Sequence, residues 1–106
     1  MAKHVVLLRD KNKGTLTKEL LLRHIGHLRS LKAEGRLHLC GPFKDDSGGF
    51  ILIEAGSEKE AMDLASRDPF IREGYYRSLE VHELMESGEH NNWLMDDDQT
   101  KGNLKD

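Results

Sequence analysis

Strand-like and helix-like segments alternate along this 106-residue chain in the order β-α-β-β-α-β. That order predicts an α+β fold, an antiparallel sheet with two helices on one face. Three observations carry the prediction. Short β-branched and apolar runs recur with period two, two longer segments repeat apolar residues at helical spacing, and turn residues separate them.

Lys3 to Arg9 reads as strand one, closed by the polar stretch Asp10 to Gly14. Helix one follows from about Leu16 to Glu34, with Thr15 or Thr17 as N-cap and Gly35 as its stop. Arg36 to Cys40 is strand two, ended by Gly41-Pro42. The turn cluster Lys44 to Gly49 returns the chain as strand three, Phe50 to Ala55. Ser57-Glu58-Lys59-Glu60 is a capping box opening helix two, whose buried stripe is Ala61, Leu64 and Ala65. Asp68-Pro69 stops it, and a short helical turn leads through Gly74 to strand four, about Ser78 to Leu84. This split pattern is the ferredoxin-like arrangement. Residues 1–86 are expected to form that domain and 87–106 a polar extension, partly flexible. Trp93 in the extension is expected to dock on its own surface or a neighbour's.

Alternation along the strands assigns Val5, Leu7, Leu37, Leu39, Ile51, Ile53, Leu79 and Val81 to the helix side. The opposite face then carries His4, Val6, Leu8, His38, Cys40, Phe50, Leu52, His82 and Leu84. Such a face is too apolar for water and too polar for an intrachain core. A homodimer packed sheet to sheet is therefore expected, with His4, His38 and His82 as interface polar groups and Cys40 as a small packing residue.

The net charge of −3 comes from intermixed acids and bases, with no basic face for nucleic acid. No apolar stretch is long enough to span a bilayer, and the first residues lack the pattern of a secretory leader. The single cysteine precludes an intrachain disulfide and fits a reducing compartment, so a cytoplasmic location is expected.

At about 100° per residue, Leu20, Leu31, His24, Leu28, Leu21 and Ile25 share one arc of helix one, and His24 falls between leucines. The simplest role for a lone histidine there is a core imidazole bonded to a backbone carbonyl. The other is a general acid or base, because imidazole titrates near neutral pH. Asp68 lies on the buried stripe of helix two and is also the natural N-cap of the Pro69 turn. A capped carboxylate can still present an oxygen to His24 and orient it. His24 and His27 have i, i+3 spacing, but no third ligand has recognisable spacing, and no metal is expected. There is no phosphate loop or dinucleotide fingerprint, and no cofactor is expected. Arg9 and Asp10, closing strand one, are candidates for the mouth of the cleft.

The segments His24-Ile25-Gly26-His27-Leu28, Glu34-Gly35-Arg36-Leu37, Gly41-Pro42, Gly48-Gly49 and Asp68-Pro69-Phe70 resemble the YciI-like (YCII-related) proteins. The resemblance runs from about residue 3 to residue 85. It implies a ferredoxin-like subunit of a dimeric α+β barrel, similar in architecture to muconolactone isomerase, and an active site centred on His24 and Asp68. The strand-one aspartate common in relatives falls at Asp10. Gly41 and Phe70, from the shared segments, complete the expected substrate-binding set with Arg9 and Asp10. Relatives often carry arginine three residues before the histidine, where this chain has Leu21. The chemistries associated with the family act on small cyclic molecules. The resulting expectation is a cofactor-free lyase or isomerase using a His24–Asp68 pair. The alternatives are a non-catalytic ligand-binding or assembly module, or a cofactor-free monooxygenase.

Overall fold

The computed structural model of the chain describes residues 1–105. β1 (Ala2–Lys11), α1 (Lys18–Ala33), β2 (Leu37–Pro42), β3 (Gly48–Ala55), α2 (Glu58–Ser66), α3 (Pro69–Arg72) and β4 (Tyr76–Leu84) follow one another as expected. The sheet order is β2-β3-β1-β4 with every pairing antiparallel, the ferredoxin-like topology.

Local chemistry sets the helix ends. Thr17, rather than Thr15, caps α1 by accepting from the Leu20 amide at 3.1 Å. At the other end Gly35 adopts φ +74°; its amide reaches Lys32 O and the Arg36 amide reaches Leu31 O. Those two bonds make a Schellman closure, which needs a left-handed residue at that position. Ser57 caps α2 by accepting from the Glu60 amide at 3.0 Å, while the Glu60 carboxylate takes the Gly56 amide at 3.2 Å.

The core lies between the helices and one face of the sheet. It joins Leu20 and Leu31 of α1, Ala61, Leu64 and Ala65 of α2, and Phe70 of α3 to Val6, Leu8, Ile51, Ile53 and Val81. The parity expected for β1 is thus reversed. His4, Val6 and Leu8 are buried under the helices, whereas Val5 and Leu7 are only half-buried on the outer face. Register explains the reversal: Val6 pairs with Ile51 and Val81, His4 with Ile53, and Leu8 with Leu79. His4 is therefore no interface group. Its Nδ1 lies 3.1 Å from Ala2 O and its ring is fully buried.

β2 departs differently. A bulge between Leu37 and Leu39 places Leu39 opposite Leu52 on the outer face and Cys40 opposite Ile51 on the inner one. Leu39 is accordingly exposed, and Cys40 faces a cavity instead of packing in the sheet.

The extension is not structureless. Glu89–Leu94 forms a 3₁₀ segment and α4 spans Asp98–Asn103. Side-chain caps hold both: Asn91 accepts from the Gly88 amide at 3.0 Å and Asp97 from the Gln99 amide at 2.9 Å. Helices built on caps leave no apolar periodicity to read. Trp93 is 64% exposed, so it is not docked on its own chain. The end of the extension, Asp106, lies outside the described residues.

Candidate active site

Asp68 is held before it meets any partner. Pro69 occupies the first turn of α3, and the preceding Asp68 caps it by accepting from the Phe70 amide at Oδ1, 2.9 Å away. The same Oδ1 lies 2.8 Å from His24 Nδ1. An ionised carboxylate only accepts, so the ring nitrogen donates and the imidazole is fixed with hydrogen on Nδ1. Phe70 fixes the ring plane as well, stacked on His24 with centroids 3.7 Å apart and planes 7° from parallel. The Asp68 side chain is 1% exposed and that of His24 13%, so the pair is buried on the carboxylate side and open at the imidazole.

Asp68 Oδ2 and His27 Nε2 are buried without a hydrogen-bond partner. Burial pushes the His27 imidazole below its ordinary 6.5; the Asp68 charge opposes that shift and His24 adds to it. His27 is consequently a neutral neighbour of the pair.

The open side of His24 faces a cavity of about 650 Å³. That volume lies within the usual range of small-molecule sites, about 300–1,000 Å³. Leu21, Ile25 and Leu28 of α1 form one wall, Leu8 and Ile51 the sheet floor, and Gly41, Pro42 and Phe43 the edge. Phe70, Tyr75 and Tyr76 form a wall of packed rings. Polar groups are sparse in this lining, chiefly His24, Lys11, Lys44, Asp46 and Cys40. An apolar cavity with a few placed polar groups suits a small, mostly hydrophobic ring. Among the described residues no cluster of three His, Cys, Asp or Glu side chains is arranged for a metal.

The structure brings His24, Asp68, Gly41 and Phe70 together. Arg9 and Asp10 do not border the cavity: Arg9 pairs with Glu80 at 3.0 Å and Asp10 with Arg77 at 3.1 Å, all exposed. Sequence reading missed Lys11, Asp46, Tyr75 and Tyr76. The adjacent tyrosines at the start of β4 were the available signal for the ring wall. Lys11 carried none, because its inward position depends on a backbone torsion at Asp10.

Residues 2–85 match the YCII-related domain. The chain belongs to the YCII-related family. The uncharacterized protein YjpA of Bacillus subtilis (strain 168) is 43% identical over 51 residues. That match covers 48% of this chain and 60% of the relative's length. Among solved structures, the fold is similar to 5-chloro-2-hydroxyhydroquinone dehydrochlorinase (TftG) from Burkholderia phenoliruptrix AC1100, in complex with 2,5-dihydroxybenzoquinone. The TM-score is 0.58 and the identity 26%, covering 84% of this chain and 99% of that one. Small-molecule catalysis is therefore a known use of the fold. No helix among the described residues of this family member is long and apolar enough to cross a membrane.

Proposed function

We propose that this protein is a lyase or isomerase acting on a small cyclic, oxygenated molecule, with His24 as the proton-transfer group and Asp68 as its orienter. The observation that carries the reading is the 2.8 Å contact between His24 Nδ1 and Asp68 Oδ1 at the edge of the cavity. With hydrogen held on Nδ1, the Nε2 lone pair is the basic site. It takes a proton from a ring C–H or O–H, and the released electron pair moves into the ring. That pair either accepts a proton at another atom, giving an isomer, or expels a leaving group as an anion. Asp68 stabilises the imidazolium in the interval, and the proton then leaves from Nε2 to product or water. No electron acceptor is needed, because the overall change is redox-neutral. The neighbour that removes chloride from a hydroxylated ring supports this class of reaction.

The same reading includes a homodimer through the outer sheet face. Val5, Leu7, Phe50 and Leu52 are half-buried there, and Leu39 and Leu84 lie exposed beside them. An apolar patch of this kind is the usual mark of a covered surface.

Incubating the protein in D₂O with a panel of hydroxylated quinols, quinones and cyclic enols tests the function. Deuterium incorporation or elimination is expected with at least one ring class, falling roughly 10²-fold or more in His24→Asn. A His24→Asn variant that keeps its fold and the full rate would overturn the proposal.

A further inference from the structure

His24 and Lys11 stand at the two ends of one run of aromatic rings. Phe70 stacks on the imidazole at 3.7 Å, Tyr75 and Tyr76 lie 4.8 and 5.8 Å beyond it, and Lys11 Nζ sits 5.9 and 5.7 Å from their centroids. All five side chains border the same cavity.

Lys11 reaches the cavity through a break in strand alternation. Asp10 takes φ +59°, a left-handed conformation inside β1, and Leu8 and Lys11 both border the cavity although three residues apart. The Lys11 side chain is only 9% exposed. Its ion-pair partner, Asp46, is 61% exposed and is shared with Lys13 at 3.4 Å. An ammonium group has three N–H donors and Asp46 engages one side of it. Burial also raises the Tyr76 phenol, so that hydroxyl stays neutral and able to donate beside the ammonium. Lys44 borders the cavity too, so the lining holds two lysines against the single carboxylate of Asp46.

We propose that Lys11 is the anion anchor of this site, and that its ligands are planar rings bearing an acidic oxygen: a carboxylate, enolate or phenolate. The anion sits at the tyrosine end, and the ring lies along Tyr75, Tyr76 and Phe70 with its reacting bond at His24 Nε2. Only that last placement rests on His24 acting as the base; the anchor stands on the position and charge of Lys11.

Calorimetric titration at neutral pH with 2,5-dihydroxybenzoquinone, a dianion there, and neutral 2,5-dimethoxybenzoquinone tests the anchor. The wild-type protein is expected to bind the dianion roughly tenfold or more tighter than the neutral ring. Lys11→Met should abolish that preference and leave the neutral ring within twofold. Asp46→Asn, at an exposed position, should tighten dianion binding severalfold by freeing the ammonium. Absence of dianion binding, no preference in the wild type, or equal weakening of both ligands by Lys11→Met would each overturn the proposal. His24→Asn separates the two ideas: it should lose turnover and keep the charge preference. If it keeps turnover, the base is wrong and the anchor stands.

Discussion

Asp68 Oδ1 serves two partners, the Phe70 amide, which it caps, and the His24 nitrogen, which it orients in the proposed mechanism. The two roles separate by substitution. Asn caps as well as Asp, so Asp68→Asn should change stability by no more than about 1 kcal/mol while lowering turnover roughly 10²-fold or more through loss of the carboxylate charge that stabilises the imidazolium. Asp68→Ala loses the cap and leaves His24 Nδ1 without its partner, at a cost of roughly 2–4 kcal/mol by urea unfolding. Equal stability of the two variants would show that the cap and the pair contribute little. His27 supplies a pH signature. Its folded value lies below 6.5, so between the two values the unfolded chain binds more protons than the native one. Stability should therefore fall as pH drops below about 6.5, and His27→Gln should flatten that slope in denaturant titrations across pH 5 to 7. Both residues of the pair were legible in the sequence because each lies on an otherwise apolar helix stripe.

At the scale of elements, helices were read closely and strands less so. Thr17, Gly35, Ser57 and Asp68 are boundary residues whose side chains or torsions act locally, so sequence suffices to place them. β1 is central, and both of its faces are apolar: Val5 and Leu7 on one, Val6 and Leu8 on the other. Alternation cannot choose between them, and a polar His4 pointed the wrong way. Pairing with Ile51, Ile53 and Val81 decided it, and pairing is a tertiary fact. The β2 bulge and the Asp10 torsion likewise shift faces with no mark in hydropathy, which is why Lys11 and Cys40 were not placed at the cavity. Two substitutions probe these devices. A methyl group at Gly48 would run into the Leu8 carbonyl across the β1–β3 pair, so Gly48→Ala should cost roughly 1–3 kcal/mol in thermal or urea unfolding. Asp10→Gly should keep the left-handed turn, whereas Asp10→Val should lose about 1–2 kcal/mol and, with Lys11 misplaced, binding of the dianionic ring.

At the scale of the whole molecule, one sheet face is covered by helices and the other presents Leu39, Leu52, Phe50 and Leu84 toward solvent in the single chain. The existence of such a face was legible even though its β1 members were misassigned, because either phase of β1 is apolar. Sedimentation equilibrium at micromolar concentration should show a dimer, converted to monomer by Leu52→Glu; a wild-type monomer would remove the sheet-to-sheet pairing. The extension after β4 was the least legible part, since its short helices rest on Asn91 and Asp97 caps and leave Trp93 exposed.

In the proposed mechanism Asp68 fixes His24 with a free, basic Nε2 at the cavity. Long-range ¹H–¹⁵N spectra of the imidazole rings read that state directly. Neutral His24 should appear with its hydrogen on Nδ1, the Nε2 signal should move on adding 2,5-dihydroxybenzoquinone, and Asp68→Ala, which removes the acceptor, should erase the tautomer preference. A neutral His24 carrying its hydrogen on Nε2, or a ring that ignores the ligand while binding is observed, would rule out His24 as the base.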